Sequence, residues 1–256
     1  MEAKNIIEII ERYYPLSLQE DWDKCGLQIG DVHQDVTKIM ISLNADLPSL
    51  KEAISNNCQM LITHHPFLLD PIKNIDKDSI MGQFIYTAIE NHIIVYSSHT
   101  ALDNVSMNKW LIEELGVHDL QVGDQTGISQ IATLNTPMTM DAFLDYVQQV
   151  YHLDHFKYAG KVDIVKKVAV CGGSGAGFMD QFYGKADAYL TGDTKYHQAK
   201  AAIDHHLLLV DINHHAENIM VDRLKELLEK ELDVEIIAGS SPDYYIQSLV
   251  GSFYQF

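Results

Sequence analysis

The strongest constraint on the fold is a pattern used twice: short apolar runs that close on polar or glycine residues, separated by stretches of helical period. In the first half the runs are KIMISLNAD (38–46), MLITHHP (60–66) and HIIVYSSHT (92–100). A short continuous apolar run rich in Ile, Val and Leu reads as a strand buried on both faces, as in parallel sheets. Between the runs, SLKEAISNN (49–57) and SIMGQFIYTAIENH (79–92) place apolar residues at helical spacing, so the order reads β-α-β-α-β. MNKWLIEELG (107–116) adds a helix that stops at Gly116. The second half repeats the pattern in KKVAVCGGSG (166–175), DAYLTGD (187–193) and HLLLVDINHH (206–215). TLNTPMTMDAFLDYVQQVY (133–151) separates the halves and opens a helix at Asp141, and a last helix from Glu217 to Glu231 leads into the strand VEIIAG. The final residues through Phe256 show no period. The expectation is an α/β protein of two similar three-layer lobes related by internal duplication, residues 1–125 and 126–256. The C-terminal segment is in a position to pack back on the first lobe.

Charge and cysteine usage narrow the partners. Against 36 acidic residues stand 18 basic ones, a formal charge of -18, which repels phosphate backbones and anionic membrane surfaces. The start, MEAKNIIEIIERYYP, reads as an amphipathic helix stopped before Pro15 and not as a signal peptide, and no apolar run reaches membrane-spanning length. Cys25, Cys58 and Cys171 lie far apart, so neither a disulfide framework nor a thiolate zinc site is expected, and the compartment is read as cytoplasmic. Histidine is in surplus, 13 residues, with adjacent pairs at His64–His65, His205–His206 and His214–His215.

In open α/β sheets ligands collect beyond the carboxyl ends of the strands, between the two lobes here. His64, His65, His99, Asp103 and His214 sit at those ends, and Glu217 follows His214 by three, on the same face of a helical turn. Imidazole and carboxylate are ligands for divalent zinc, manganese, iron or nickel. Each residue also has a plainer reading: the His64–His65 pair as a polar turn stiffened by Pro66, Asp103 as an N-cap for the 107–116 helix, Glu217 as a helix-dipole residue. Three strand ends carrying ligand types together favour a metal site over these separate readings. CGGSGAGF (171–178) has the setting of a phosphate loop but lacks its Lys-Ser/Thr, so a tight turn that lets a helix approach the sheet is the simpler reading.

DWDKCGLQIG (21–30), LITHHP (61–66), SSHTALD (97–103), VAVCGGSG (168–175), YLTGD (189–193) and D-x-N-H-x-x-E (211–217), in that order, resemble the GTP cyclohydrolase I type 2 homologues, also called the Nif-three-like family. The resemblance implies two divalent metal ions per chain, with His64 and His214 on one, His65 and Asp103 on the other, and Glu217 bridging both. It implies a toroidal homohexamer, and a metal-dependent hydrolase that opens the imidazole ring of GTP with release of formate. His99 is then the candidate for proton transfer. An anionic small molecule or nucleotide is the expected ligand, with a phosphoester hydrolase or a non-catalytic metal-bearing regulatory ring as alternatives. Where the family has glycine before the last histidine, this chain has Asn213, which a left-handed backbone tolerates.

Overall fold

In the computed structural model, which describes residues 1–124 and 126–244, the two expected sets of strands form two separate sheets. The chain runs α1 (Ala3–Tyr13), β1 (Gly26–Ile29), β2 (Lys38–Asn44), α2 (Leu47–Ser55), β3 (Met60–His65), α3 (Ile80–Glu90), β4 (Ile94–Ser97), α4 (Thr100–Leu102) and α5 (Asn108–Glu113). It continues with β5 (Val117–Val122), β6 (Gln130–Thr139), α6 (Met140–Val150), β7 (Lys157–Ala159), β8 (Ile164–Val170), β9 (Ala188–Thr191), α7 (Tyr196–Asp204), β10 (Leu208–Asp211), α8 (Ile219–Leu228) and β11 (Glu235–Ala238). The tail after Tyr244, for which the sequence showed no period, lies outside the described residues.

The first sheet has the order β1-β4-β3-β2-β11, with β2, β3, β4 and β11 parallel and β1 antiparallel to β4. The second has the order β5-β6-β8-β9-β10-β7, with β8, β9 and β10 parallel. β7 precedes the parallel triplet and pairs antiparallel with its last strand, as β1 does in the first sheet. The same four-strand unit therefore occurs twice. The long connection supplies β5 to the second sheet, while β11 returns to the first, with Ile236 opposite Ile39.

Each buried strand is apolar on both faces because both faces are covered. One side of the first sheet packs Met40, Leu61 and Val95 against Leu50 of α2 and Phe84 of α3. The outer side of the second sheet packs Tyr189 and Leu209 against Ala202 of α7 and Met179 and Phe182 of a 3-10 turn. The two inner faces share one core: Ile41, Ile62, Tyr96, Val168, Val170 and Leu190 close on Ile6 and Ile10 of α1, Leu111 of α5, Val147 of α6 and Leu224 of α8. The three-layer lobes thus have their middle helices in common, which brings the carboxyl ends of both parallel triplets to one crevice. Helix starts follow side-chain capping: Asp46 accepts the Ser49 amide at 2.8 Å to open α2, and Ser79 accepts the Gly82 amide at 2.9 Å to open α3. Thr139 caps α6 in the same way, so that the helix starts at Met140, one residue before the expected Asp141. Among the described residues no helix is long and apolar enough to cross a membrane.

Candidate metal centre

His64 and His65 are the last two residues of β3 and not part of the turn after it. Strand geometry sends consecutive side chains to opposite faces. His64 therefore points inward, fully buried, while His65 keeps 25% of its side chain exposed toward the second lobe. After β4 the chain breaks at His99, with φ −89° and ψ −108°, and enters a helical stretch that begins at Thr100, well before the expected 107. Asp103 lies inside this stretch with helical φ and ψ of −57° and −46°, so it does not cap the helix. The turn over Asp103–Met107 is widened to π-helix, a form often found at functional sites, and it joins α4 to α5. After β10, Asn213 takes φ 64° and ψ 153° and delivers His214 and Glu217 on a 3-10 turn, with α8 beginning only at Ile219. Asn213 has the positive φ expected of it, yet its extended ψ lies outside the left-handed helical well, in a region that glycine alone adopts freely.

Glu217, 5% exposed in its side chain, is the meeting point. Its Oε2 lies 3.2 Å from His65 Nε2, 3.1 Å from His214 Nε2 and 3.6 Å from His64 Nε2. His64 Nε2 lies 3.5 Å from Asp103 Oδ1, and His65 Nε2 lies 3.2 Å from His214 Nε2. Three sets of ligand atoms within 4.8 Å of one another result: His64, Asp103 and Glu217; His65, His214 and Glu217; and His64, His65 and His99. All six residues singled out from the sequence are brought together. The grouping differs from that implied by the resemblance: strand alternation sends His64 toward Asp103 on the inside and His65 toward His214 across the crevice.

The histidines are tied from behind. The Nδ1 atoms of His64, His65, His214 and His99 face the Ser98 carbonyl (3.2 Å), Asn44 Oδ1 (2.7 Å), Asp193 Oδ2 (2.6 Å) and Asp23 Oδ1 (2.9 Å). Each of these acceptors draws the ring proton to Nδ1, which leaves Nε2 as a lone pair, the arrangement that supports a metal-ligating histidine. Two such lone pairs at 3.2 Å, beside a carboxylate oxygen, repel unless a proton or a metal cation lies among them. His64 Nε2 and Asp103 Oδ1, both buried, also have no hydrogen-bond partner among the described residues. Buried polar atoms are rarely left so. The donor set therefore fits divalent ions of the zinc, manganese, iron or nickel kind.

Electrostatics point the same way. Burial holds His64 well below the usual histidine range, so its imidazole stays neutral and able to ligate. Burial, and then the charge of Glu217, hold Asp103 well above the carboxylate range, as two carboxyls in one dry pocket must repel. Burial also opposes ionisation of Glu217, but the His214 and His65 rings beside it outweigh this and keep that carboxyl well below its usual value. The hydrogen bond to Glu217 raises His214 to about 9 against the effect of burial.

The glycine loop after β8 is a wall of this site. A Cβ on Gly173, which has φ +53°, would fall 2.6 Å from Glu217 Oε1, and one on Gly172 would fall 3.3 Å from it. A helix does come close, since a Cβ on Gly172 would meet Leu111 of α5 at 2.8 Å, but at Gly173 what approaches is the Glu217 carboxylate. Sequence reasoning missed the supporting residues Asp23, Asn44, Ser98 and Asp193. Asp23 and Asp193 lie in DWDKCGLQIG and YLTGD, which served only as marks of resemblance; their hydrogen-bonding role was legible only once the histidine they serve was beside them.

A family model described as Duf34/NIF3 (NGG1p interacting factor 3) matches residues 1–243 of the chain. The chain belongs to the DUF34/NIF3 family. A protein of Clostridium acetobutylicum named GTP cyclohydrolase 1 type 2 homolog is 33% identical over 227 residues, 84% of each chain. One of the same name from Methanocaldococcus jannaschii is 32% identical over 245 residues, 93% of this chain and 99% of its own. Among solved structures, Staphylococcus aureus protein SA1388 superposes with a TM-score of 0.90 at 23% identity, over 97% of this chain and 99% of its own, which shows the fold. Reduced HcgD from Methanocaldococcus jannaschii gives 0.83 at 32% identity, over 93% and 97%. The two-lobe α/β fold is therefore a DUF34/NIF3 property shared by this chain.

Proposed function

We propose that this DUF34/NIF3 protein holds two divalent ions and uses them to hydrolyse an anionic, nucleotide-like substrate. Glu217 would bridge the pair, His64 and Asp103 completing one set and His65 and His214 the other. The observation that carries the reading is the convergence of three Nε2 atoms on one buried carboxylate, with His64 Nε2 and Asp103 Oδ1 lacking a hydrogen-bond partner among the described residues. Two such ions supply positive charge for anion binding, acidify a coordinated water and stabilise charge that develops on a reacting oxygen.

The chain's own residues supply the rest. Asn44 and Asp193 keep His65 and His214 aimed, and Ser174, whose hydroxyl donates to Asp193 Oδ2 at 2.8 Å, steadies that support. Beside His65 and His214 opens a cavity of about 310 Å3, lined also by Asn44, His215 and Tyr244, which gives a substrate access to the centre. Beyond His214 a second cavity of about 380 Å3 is lined by His155, Lys157, Asp193 and Asp211, with Lys157 paired to Asp211 at 2.9 Å. His99 is the residue proposed to move a proton. The names of the relatives favour GTP as the first substrate to try, with phosphoesters next, and a homohexamer belongs to the same reading. Turnover of GTP and of nitrophenyl phosphoesters, by protein loaded with zinc, manganese or iron, is the test. The proposal expects turnover that Glu217→Gln reduces at least about 100-fold. Metal-loaded protein inert toward all of them would favour a metal-bearing binding protein instead.

A further inference from the structure

Asp23 is a buried carboxylate that receives five hydrogen bonds, one of them from the His99 ring. Oδ1 accepts from His99 Nδ1 at 2.9 Å and from the Lys24 amide at 2.7 Å. Oδ2 accepts from the Thr100 amide at 2.9 Å, from Thr100 Oγ1 at 2.5 Å and from the Cys25 thiol at 3.1 Å. Five donors into one carboxyl leave it an ionised acceptor only. The Cys25 sulfur in turn accepts the His99 amide at 3.2 Å, so backbone and ring of His99 are held by one cluster. With Nδ1 committed to Asp23, the nitrogen left to act is Nε2. The ring packs 5.0 Å from His64 and 5.6 Å from His65, centroid to centroid, with the Trp22 ring edge-on at 5.7 Å on another side.

Among the described residues, His99 differs from the other histidines of the site in having no carboxylate in its ligand set, which contains His64 and His65 alone. Both of those already direct Nε2 toward Glu217, and one nitrogen lone pair serves one ion. A site built on His99 would have to take its ligands from the other two. We propose that Asp23 is a positioning residue that locks His99 in the Nδ1-protonated tautomer, so that its Nε2 faces the centre as a proton acceptor and not as a metal ligand. In the hydrolysis proposed above, on which this inference rests, Nε2 takes the proton that the attacking water loses as its oxygen bonds the substrate. The imidazolium formed is stabilised across Nδ1–H by the Asp23 carboxylate, and the proton returns to the leaving group as its bond breaks.

Imidazole nitrogen NMR of the full chain, recorded metal-free and after addition of zinc, tests this together with zinc content. The expected result is a His99 ring protonated on Nδ1 in both states, with no coordination shift at Nε2. His99→Gln should bind as much zinc as the wild type while lowering turnover of the responsive substrate about 100-fold or more at nearly unchanged KM. Asp23→Asn should retain its zinc but lose the single tautomer. If that variant does not fold, the wild-type tautomer and the zinc content of His99→Gln decide the matter alone. A ring protonated on Nε2, or loss of an ion from His99→Gln, would overturn the proposal. Wild-type zinc binding separates the two readings: no binding counts against the metal centre, whereas normal binding with the other tautomer counts against Asp23 as the positioning residue.

Discussion

At the scale of single residues, the space and backbone conformation around Glu217 set where its carboxylate can sit. Gly173→Ala would place a methyl group 2.6 Å from Glu217 Oε1 at a backbone φ of +53°, so the carboxylate must move. Metal affinity, measured by competition with a chelating dye, should fall about 10–100-fold, the usual cost of disturbing a ligand's support. Unchanged affinity would show that Glu217 has slack. Asn213→Gly should act in the opposite sense, because Asn213 holds φ 64° with ψ 153°. Relief of that strain is expected to stabilise the protein by about 1 kcal/mol, even after the hydrogen bond from its side chain to the His155 carbonyl is lost. A lower melting temperature in the glycine variant would contradict this. The ligand-type residues were legible in the sequence because they cluster at strand ends. Asp23 was not, since its partner His99 is 76 positions away and nothing local marks a carboxylate that serves a distant imidazole.

At the scale of elements, the ends of strands do the positioning. Asp211 closes β10: its carboxylate accepts from the Thr194 amide at 3.0 Å and hydroxyl at 2.6 Å, from the Asn213 amide at 3.1 Å and from Lys157 of β7 at 2.9 Å. Burial alone would raise this carboxyl, but the bonds from Thr194 and Lys157 outweigh it and hold it below the usual aspartate range. A depressed carboxyl adds stability that is present above the unfolded-state pKa and lost as pH falls through the folded one. Asp211→Asn should therefore destabilise by about 1–3 kcal/mol at neutral pH, with the difference shrinking in acid below the ordinary aspartate value. Urea unfolding of both proteins across that range measures it, and a pH-independent gap would contradict it. The parallel strands were readable from uninterrupted apolar runs, whereas the antiparallel β1, β5, β6 and β7 were not. The helix start at Thr100 was not, because TALDNVS carries no helical apolar period and its π turn is set by packing, with Ala101 and Leu102 fully buried. The same misreading made Asp103 look like a cap.

At the scale of the whole molecule, one core spans both sheets, from Ile6 and Ile41 to Val170 and Leu190. β11, late in the chain, completes the first sheet beside β2. Calorimetry of the metal-free chain should accordingly show one cooperative transition; two resolved transitions would mean the lobes fold as separate units. The duplicated strand order was legible from the repeated runs, whereas the shared middle layer was not, because apolar helix faces do not say which sheet they cover. Whole-chain charge is -18, so a crevice that gathers Asp103, Asp193 and Glu217 adds acid to an already acidic protein unless cations settle there. Glu217 is proposed to bridge two ions in that crevice. Elemental analysis of wild type and Glu217→Gln, reconstituted side by side with zinc, tests it most directly. About two zinc ions per wild-type chain, and the loss of at least one from the variant, are expected; a wild type saturating near one, or a variant that keeps its full complement, would contradict the account.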